Sequence, residues 1–246
     1  MNTIDIFFEQ DNASYRWHKQ KLDVRTKYQD IFILEQIKNA AKIKMQGGEP
    51  FFKNRLSKYL DIADSDVEII IETNGSRFDA DLLQRFKNLK VVLKVDACGK
   101  HQEYIRPGIQ WTDIQNTINT LSKNNIDFAI QPVLSVYNIL NINGLENYCK
   151  DNDYKMHKPT LIHSPQVLRP NNLPYQLKPQ VPFDYKWALD GQVTGDPFNL
   201  INELDRQWRS SIREVMPEWQ KVFDNLHWKN FERLKQLDEE IEKYVG

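Results

Sequence analysis

The sequence predicts an α/β protein, an incomplete (β/α) barrel of six strand–helix units followed by a helical C-terminal appendage. Short β-branched runs alternate with segments whose apolar residues recur at helical spacing. Strict alternation of this kind favours a parallel sheet joined by right-handed crossovers. Prolines then accumulate after Pro165, and helical spacing returns after Pro197. The length of 246 residues favours the incomplete barrel, and a doubly wound open sheet is the alternative.

Each predicted element follows from a local pattern. The strands are short β-branched runs, and the helices are segments with one apolar face. The predicted strands are Ile4–Phe8, Ile43–Gln46, Val67–Glu72, Val91–Asp96, Ile126–Leu134 and Thr160–His163. The predicted helices between them cover approximately residues 30–41, 51–60, 79–89, 112–123 and 139–149.

The chain divides into three predicted segments: a partial barrel over residues 1–168, a proline-rich connector over 169–196 and a helical extension over 197–246. Prolines fix the backbone and remove a donor, which favours extended and turn-rich structure in the connector. In the extension, Leu200, Leu204, Trp208 and Ile212 share one helical face. A break at Met216-Pro217 precedes a last predicted helix, from about Trp219 to Tyr244.

Composition and charge exclude several classes of protein. The 33 basic and 34 acidic residues nearly cancel, so we expect no nucleic-acid partner. No run of about 18 apolar residues occurs, so we expect no membrane span. The first nine residues show neither a basic segment nor a cleavage site, so no secretory signal is predicted. With Cys98 and Cys149 as its only cysteines, the chain fits a reducing compartment, and a cytoplasmic location is expected.

Polar residues follow almost every predicted strand, which is where parallel α/β folds bind ligands. Gly47 and Gly48 let the backbone approach a ligand, and Gly75 supports a tight turn. These residues predict a ligand-holding mouth, although polar residues also begin ordinary loops. The polar strand-end residues are Gln46, Glu49, Glu72, Thr73, Asn74, Asp96, Gln131, Ser135 and His163.

Two of these strand ends carry a family resemblance. A strand ending in Gly47-Gly48-Glu49-Pro50, followed by one ending in Thr73-Asn74-Gly75, resembles the radical S-adenosylmethionine (SAM) superfamily. The segments 95–111 and 136–138 are similar to radical SAM proteins with a twitch-type C-terminal extension, common in phage and marine bacterial sequences. The resemblance covers about Ile4 to Pro174 and implies a partial, six-stranded radical-SAM-like (β/α) barrel.

The resemblance also implies a set of cofactor-binding residues for SAM or a nucleotide-like ligand. Gly47, Gly48 and Glu49, in the motif that Pro50 completes, would hold the methionyl amino group of SAM. A carboxylate suits this role because its hydrogen bond with an ammonium group is charge-assisted. Thr73 and Asn74 would lie by the methionine or ribose, and Asp96, or Lys94 where the family usually has serine, near the ribose. The far wall would be lined by Gln131, Ser135 and Asn138.

One feature of the family is missing from the sequence. Its chemistry needs Cys-x3-Cys-x2-Cys after the first strand, where three thiolates ligate a [4Fe–4S] cluster. The corresponding segment, Gln10–His18, contains no cysteine, and Ser14–Trp17 resembles what normally follows the cluster loop. We therefore expect the cluster to be absent and the radical activity to be lost.

Four hypotheses about function remain open at this stage. The chain is a cluster-less protein with a SAM or nucleotide-like pocket, or a non-enzymatic accessory protein with a protein or peptide partner, or a fragment or loop-deleted form of an active radical SAM enzyme. For the accessory protein, the tail tryptophans Trp208, Trp219 and Trp228 are candidate surface residues. The fourth hypothesis, a hydrolase using Glu49, Glu72, Asp96 and His163, has no supporting nucleophile–base spacing or metal motif.

Overall fold

The computed structural model describes residues 3–8, 34–52 and 55–225. The strands are β1 (Thr3–Phe8), β2 (Lys42–Gly47), β3 (Glu68–Thr73), β4 (Asn88–Leu93), β5 (Asp127–Ile130), β6 (Val133–Leu134) and β7 (Thr160–Leu161). The helices are α1 (Arg55–Leu60), α2 (Gly99–Ile105), α3 (Trp111–Lys123), α4 (Ile142–Asp151), α5 (Phe198–Trp208) and α6 (Ile212–Val215). Residues 34–37 and 218–225 are also helical. Short 3-10 helices occupy Gln166–Leu168, Pro170–Asn172, Lys178–Gln180 and Phe183–Leu189.

The sheet is parallel, and its strands lie in sequence order. Strands β1 to β5 form a five-stranded sheet in the order β1-β2-β3-β4-β5, and β6 pairs with β7 in a second parallel pair. A parallel bridge between Ile130 and Met156 brings the segment before β7 alongside β5. Sequential order is that of a (β/α) barrel, whereas a doubly wound sheet reverses its order at a switch point. The predicted α/β class with a parallel, barrel-like sheet is confirmed.

The predicted fifth strand, Ile126–Leu134, is wrong as one element because it divides into β5 and β6 at Gln131-Pro132. Pro132 has no N–H with which to extend a ladder. The N–H of Gln131 donates to the Leu93 carbonyl at 2.8 Å, whereas the Pro132 carbonyl accepts from Thr160 at 3.1 Å. The run therefore pairs first with β4 and then with β7.

The predicted helix over residues 79–89 is also wrong. Leu83 donates to the Ala80 carbonyl at 3.0 Å and Phe86 to the Leu83 carbonyl at 3.1 Å, so the segment consists of turns with three-residue spacing. Of the three apolar residues behind that prediction, Leu83 and Phe86 are buried and Leu82 is partly buried. Strand β4 starts at Asn88, three residues before the predicted Val91.

The end of β4 was also misplaced. The prediction extended the strand to Asp96, but it ends at Leu93. The N–H groups of Asp96 and Ala97 leave the ladder because both donate to the Gln102 side chain, each at 2.9 Å.

The other boundaries move by a few residues. The helix predicted over 112–123 is confirmed as α3, the one over 139–149 begins later, as α4, and the one over 51–60 is the shorter α1. The strand predicted to end at His163 ends at Leu161. Of the helix predicted over 30–41, residues 34–37 are helical, 38–41 are not, and 30–33 lie outside the described residues. The segment Gln10–His18 and the chain after residue 225 also lie outside them. The division into three segments stays a prediction.

The two faces of the sheet differ in character. Ile43 and Met45 of β2 and Ile69 and Ile71 of β3 are fully buried on one face. Helix α3 packs next to the end of β3, where a Cβ built on Gly75 would lie 3.7 Å from Ile114. The alternate residues of the same strands point to the other face and are only partly buried. In a (β/α) barrel, the face away from the helices is the barrel interior.

The described part of the tail packs on the barrel. Tyr104 of α2 donates to Asp205 of α5 at 2.8 Å. Trp219 is fully buried against Phe198, with ring centroids 5.8 Å apart, so it belongs to the core and not to a partner surface. Trp208 is exposed, and Trp228 lies outside the described residues. None of the described helices is long and apolar enough to cross a bilayer.

Candidate functional site

A buried carboxylate, Glu49, lies at the carboxyl end of β2. Gly47 ends the strand at φ 95°, a left-handed conformation that glycine adopts without a Cβ clash. The turn leaves Gly47 exposed and Gly48 half-buried, but carries Glu49 and Pro50 into the interior. The Gly-Gly turn therefore places a carboxylate beneath an accessible stretch of backbone.

Three neutral donors from the chain itself hold Glu49. Its Oε1 accepts from the Thr73 hydroxyl at 2.7 Å and from the Phe51 N–H at 3.3 Å. Its Oε2 accepts from the Asn74 N–H at 3.0 Å. Thr73 is itself buried at the end of β3, and its Oγ1 accepts from the Gly75 N–H at 3.1 Å. The structure thus brings Glu49, Thr73 and Asn74 together, as the strand-end argument predicted.

Burial dominates the electrostatics of Glu49. It raises the pKa of Glu49, and the bonds from Thr73, Asn74 and Phe51, with the charge of Arg106, oppose the rise without cancelling it. A carboxylate offers about four lone-pair positions, and the three donors among the described residues leave one of them free, on Oε2. A cationic donor at that position would add a direct ion pair to the weaker effect of the Arg106 charge.

Asp96 forms a second buried group on the same edge of the sheet. Its Oδ2 accepts from Arg106 Nε at 2.7 Å, and its Oδ1 accepts from the Val133 N–H at 2.8 Å. The Oε1 of fully buried Gln102 accepts the Asp96 and Ala97 N–H groups. Its Nε2 has no hydrogen-bond partner among the described residues. Helix α2 therefore fixes Asp96 through Gln102 and, at its C-cap, Arg106.

Asn138 and Ser135 lie behind Asp96. The Asn138 Nδ2 donates to the Asp96 carbonyl at 2.9 Å and to the Val133 carbonyl at 3.0 Å. Its Oδ1 accepts from the Ser135 N–H at 2.8 Å. Both side chains are buried, and the amide of Asn138 is fully used within the chain. Their hydrogen bonds therefore hold the chain around Asp96 and Val133 in place.

Gln131 belongs to a third arrangement, on the sheet face away from the helices. Its Oε1 accepts from the Lys94 ammonium. Glu72 bridges two lysines, with Lys94 Nζ at 3.0 Å and Lys44 Nζ at 2.7 Å. Burial raises the pKa of Glu72, but its hydrogen bonds with Lys44 and Lys94 outweigh burial and leave the pKa below its ordinary value. The row of polar side chains crosses from β2 to the end of β5.

Sequence reasoning missed three of these residues: Lys44, Gln102 and Arg106. A signal for the two α2 partners exists, because positions 102 and 106 are four apart and fall on one helical face. A signal for Lys44 exists in the alternation of Lys42 and Lys44 on the predicted second strand. Its glutamate partner depends on strand register, which the sequence does not give.

The two cysteines belong to elements other than the Gly-Gly turn. Cys98 precedes α2 and Cys149 lies in α4, and both are free thiols. Burial, the larger cause in each case, raises the pKa of Cys98 to about 12 and that of Cys149 to about 11. Such pKa values disfavour the thiolate form that binds metals. No group of three or more His, Cys, Asp or Glu side chains within the described ranges could hold a metal ion.

Comparisons with known proteins identify the fold. No family model matches the chain, and no curated protein matches its sequence. Histidine-tagged anSMEcpe with bound AdoMet is 17% identical over 72% of this chain and 56% of its own, with a TM-score of 0.53. Streptococcus suis SuiB bound to S-adenosylmethionine is 14% identical over 88% of this chain and 49% of its own, with a TM-score of 0.52.

Both solved structures are radical SAM enzymes, so this chain has a radical-SAM-like fold. The chain spans about half the length of each of these proteins.

Proposed function

We propose that this chain is a radical-SAM-fold protein that binds SAM, or a nucleotide-like relative of it, at the strand-end mouth without a thiolate-ligated cluster. The observation that carries the proposal is the buried Glu49 carboxylate, held by Thr73, Asn74 and Phe51 with one lone-pair position that no other described residue occupies. SAM-bound neighbours with the same fold, anSMEcpe and SuiB, support the choice of ligand.

The methionyl ammonium of the ligand would bind at Glu49. Burial raises the pKa of this carboxyl above its ordinary value, so an ammonium group placed beside it lowers the pKa again. Gly47 and Gly48, exposed and half-buried, leave room for the ligand backbone to approach. Ligand binding and ionisation of Glu49 are therefore coupled.

The ribose would lie toward Asp96, whose two oxygens each retain a lone pair beside their bonds from Arg106 and Val133. A sugar hydroxyl can donate to such an oxygen. Ser135 and Asn138 would act as supports of this wall, because the amide of Asn138 is already fully used. Thr73 and Asn74 would close the side next to Glu49.

The residues of this chain do not fit the [4Fe–4S] cluster that the fold family implies. That cluster needs three protein thiolates, and the sequence contains two cysteines, Cys98 and Cys149. Both have raised thiol pKa values. We therefore assign no radical step to this chain.

Equilibrium dialysis with labelled SAM tests the ligand. The wild-type chain should bind saturably below about 1 mM, and Glu49→Gln should weaken binding by roughly tenfold or more, because a charge-assisted bond is lost. The matched control is Glu68→Gln, which removes a carboxylate from the far end of β3 and should bind as wild type. Absence of binding at millimolar SAM, or equal affinity of Glu49→Gln, would overturn the proposal.

A second experiment tests the proposed absence of a thiolate-ligated cluster. The chain is incubated anaerobically with iron and sulfide, and gel filtration and metal analysis follow. We expect iron well below the four atoms per chain that one cluster requires. Double replacement of Cys98 and Cys149 by serine should leave the iron content unchanged. Iron and sulfide at cluster stoichiometry in the wild type would contradict the proposal.

A further inference from the structure

The sheet face away from the helices carries an ordered set of charges, here called the charged face. Its members are Lys42 and Lys44 of β2, Glu68 and Glu72 of β3, Lys90 of β4 and Lys94 just after β4. In a closed (β/α) barrel this face is packed with branched apolar side chains in layers. Here ion pairs share the face with two apolar residues, Ile70, in register with Lys90, and Val92, in register with Glu72.

The charges form two triads, each with one glutamate between two lysines. In the upper triad, Glu72 lies 2.7 Å from Lys44 and 3.0 Å from Lys94. In the lower triad, Glu68 lies 3.4 Å from Lys42 and 3.2 Å from Lys90. Because one carboxylate meets two ammonium groups, each triad taken by itself has one more positive than negative charge.

The lysines are the part of each triad that faces solvent. In the upper triad the side chains of Lys44 and Lys94 are 32% and 22% exposed, against 16% for Glu72. In the lower triad Lys42 and Lys90 are 35% and 55% exposed, against 32% for Glu68. A ligand can therefore reach Lys44 in the upper triad and Lys90 in the lower triad more readily than the glutamate between them.

Acidic residues flank this strip and do not interrupt it. Asp5 of β1 is in register with Lys44, and Asp127 of β5 is in register with Lys90. Both aspartates are exposed and lie on the strands that bound the triads on either side. The result is a cationic strip over β2 to β4 with an acidic residue at each side.

The distance between the triads selects the shape of an anionic ligand. Glu68 and Glu72 are four residues apart on one strand, which separates the triads by about 13 Å at a rise of about 3.3 Å per residue. A single small anion can reach only one triad. An extended peptide has the same rise, so acidic side chains at positions i and i+4 match both triads.

We propose that the charged face binds an extended acidic peptide segment, whose carboxylates at i and i+4 pair with the exposed lysines of the two triads. The upper triad lies at the carboxyl end of β3, next to Thr73, so the bound segment runs toward the strand-end mouth. The proposal is independent of the SAM assignment, since it uses the lysines and neither Glu49 nor Asp96.

Fluorescence anisotropy with labelled peptides on the wild-type chain, without SAM, tests the proposal. One peptide carries Glu-Ser-Gly-Ser-Glu, a second carries the same spacing with glutamine, and a third carries two adjacent glutamates. We expect the first peptide to bind, with an affinity that falls as the salt concentration rises. The third peptide should bind roughly threefold to tenfold more weakly than the first, because it reaches only one triad. Equal binding of the glutamine peptide or of the adjacent-glutamate peptide would overturn the proposal.

Variants of the chain test whether the peptide binds on the charged face. Lys44→Gln combined with Lys90→Gln removes one lysine from each triad and should weaken the first peptide by roughly threefold to tenfold. The control is Lys123→Gln, an exposed lysine at the end of α3 on the other side of the sheet, which should bind as wild type. Unchanged affinity of the double variant would contradict the assignment, and the wild-type peptide comparison remains decisive if that variant does not fold.

Discussion

Two glutamates on neighbouring strand ends, Glu49 after β2 and Glu72 in β3, show opposite behaviour. Burial raises the pKa of Glu49, and neutral donors do not restore it. Burial also raises the pKa of Glu72, but Lys44 and Lys94 reverse the shift. The difference lies in the partners, since a full positive charge offsets the loss of hydration and neutral N–H and O–H groups do so only in part.

This difference separates the two polar regions of the sheet. At the strand-end mouth, hydrogen-bond donors of the described residues occupy all but one lone-pair position of Glu49. That position suits a ligand that brings its own positive charge. On the charged face, the chain already supplies more positive than negative charge at its centre, so that region suits an anionic partner. The two regions therefore call for ligand groups of opposite sign.

Removal of Arg106 should give the largest effect on stability. Arg106→Met leaves the Asp96 carboxylate buried with only the Val133 N–H, and loss of one partner of a buried ion pair costs about 3 kcal/mol. Urea unfolding measures the change. Arg106→Lys is the control and should recover part of the loss, and a loss below about 1 kcal/mol in Arg106→Met would show that Asp96 does not depend on this pair.

Glu49→Gln should have the next largest effect, together with a pH dependence of defined sign. At low pH the free energy of unfolding of the wild type should exceed that of the variant by about 2 kcal/mol, because an amide cannot accept hydrogen bonds from all three donors. Since the folded pKa of Glu49 is raised above 4.5, its contribution is complete below 4.5 and is lost as pH rises through the folded value. Urea unfolding over a pH series checks this, and a gap that widens with rising pH would contradict it.

Glu72→Gln should show the opposite pH dependence and a smaller change in the free energy of unfolding. Its folded pKa is lowered below 4.5, so its stabilising effect is present above 4.5 and is lost as pH falls through the folded value. At neutral pH we expect Glu72→Gln to lower the free energy of unfolding by about 1 kcal/mol, because the triad is half-buried. The same pH series measures it, and a difference that persists in strong acid would exclude the proposed ion pairing.

Glu68→Gln should have the smallest effect, about 0.3 kcal/mol, because its side chain is more exposed than that of Glu72. About 0.5 M salt should remove this difference by screening. Thermal unfolding at low and high salt provides the measurement. A salt-independent loss would mean that Glu68 contributes by packing and not by charge.

Much of the fold could be predicted because the apolar pattern is strong. The alternation of β-branched runs with segments of helical spacing indicated a parallel sheet, and Gly47 and Gly48 at the end of β2 indicated the mouth. The break at Pro132 and the early start of β4 could not be obtained in this way, since they depend on which carbonyl a given N–H meets in space. The Leu83 and Phe86 stripe predicted burial correctly but not helix, because turns with three-residue spacing also place those residues on one side.

The site could be predicted only in outline. Glu49, Thr73 and Asn74 were expected at one edge and meet there. The partners of Asp96 come from α2, and the partners of Glu72 come from adjacent strands, so both depend on packing and register. A sequence pattern names the polar residues at strand ends, and the structure decides which of them are already satisfied within the chain.

Calorimetric titration with SAM over a pH series from about 4 to 7, in two buffers of different ionisation enthalpy, tests the central claim most directly. Over this range the amino group of SAM is protonated. Burial raises the pKa of Glu49 and a bound ammonium group lowers it again, so binding should release protons in the part of the series where the free chain holds Glu49 protonated. We expect saturable binding with a proton release that Glu49→Gln abolishes and Glu68→Gln retains. Absence of binding at millimolar SAM, or binding without proton release at every pH of the series, would contradict the account.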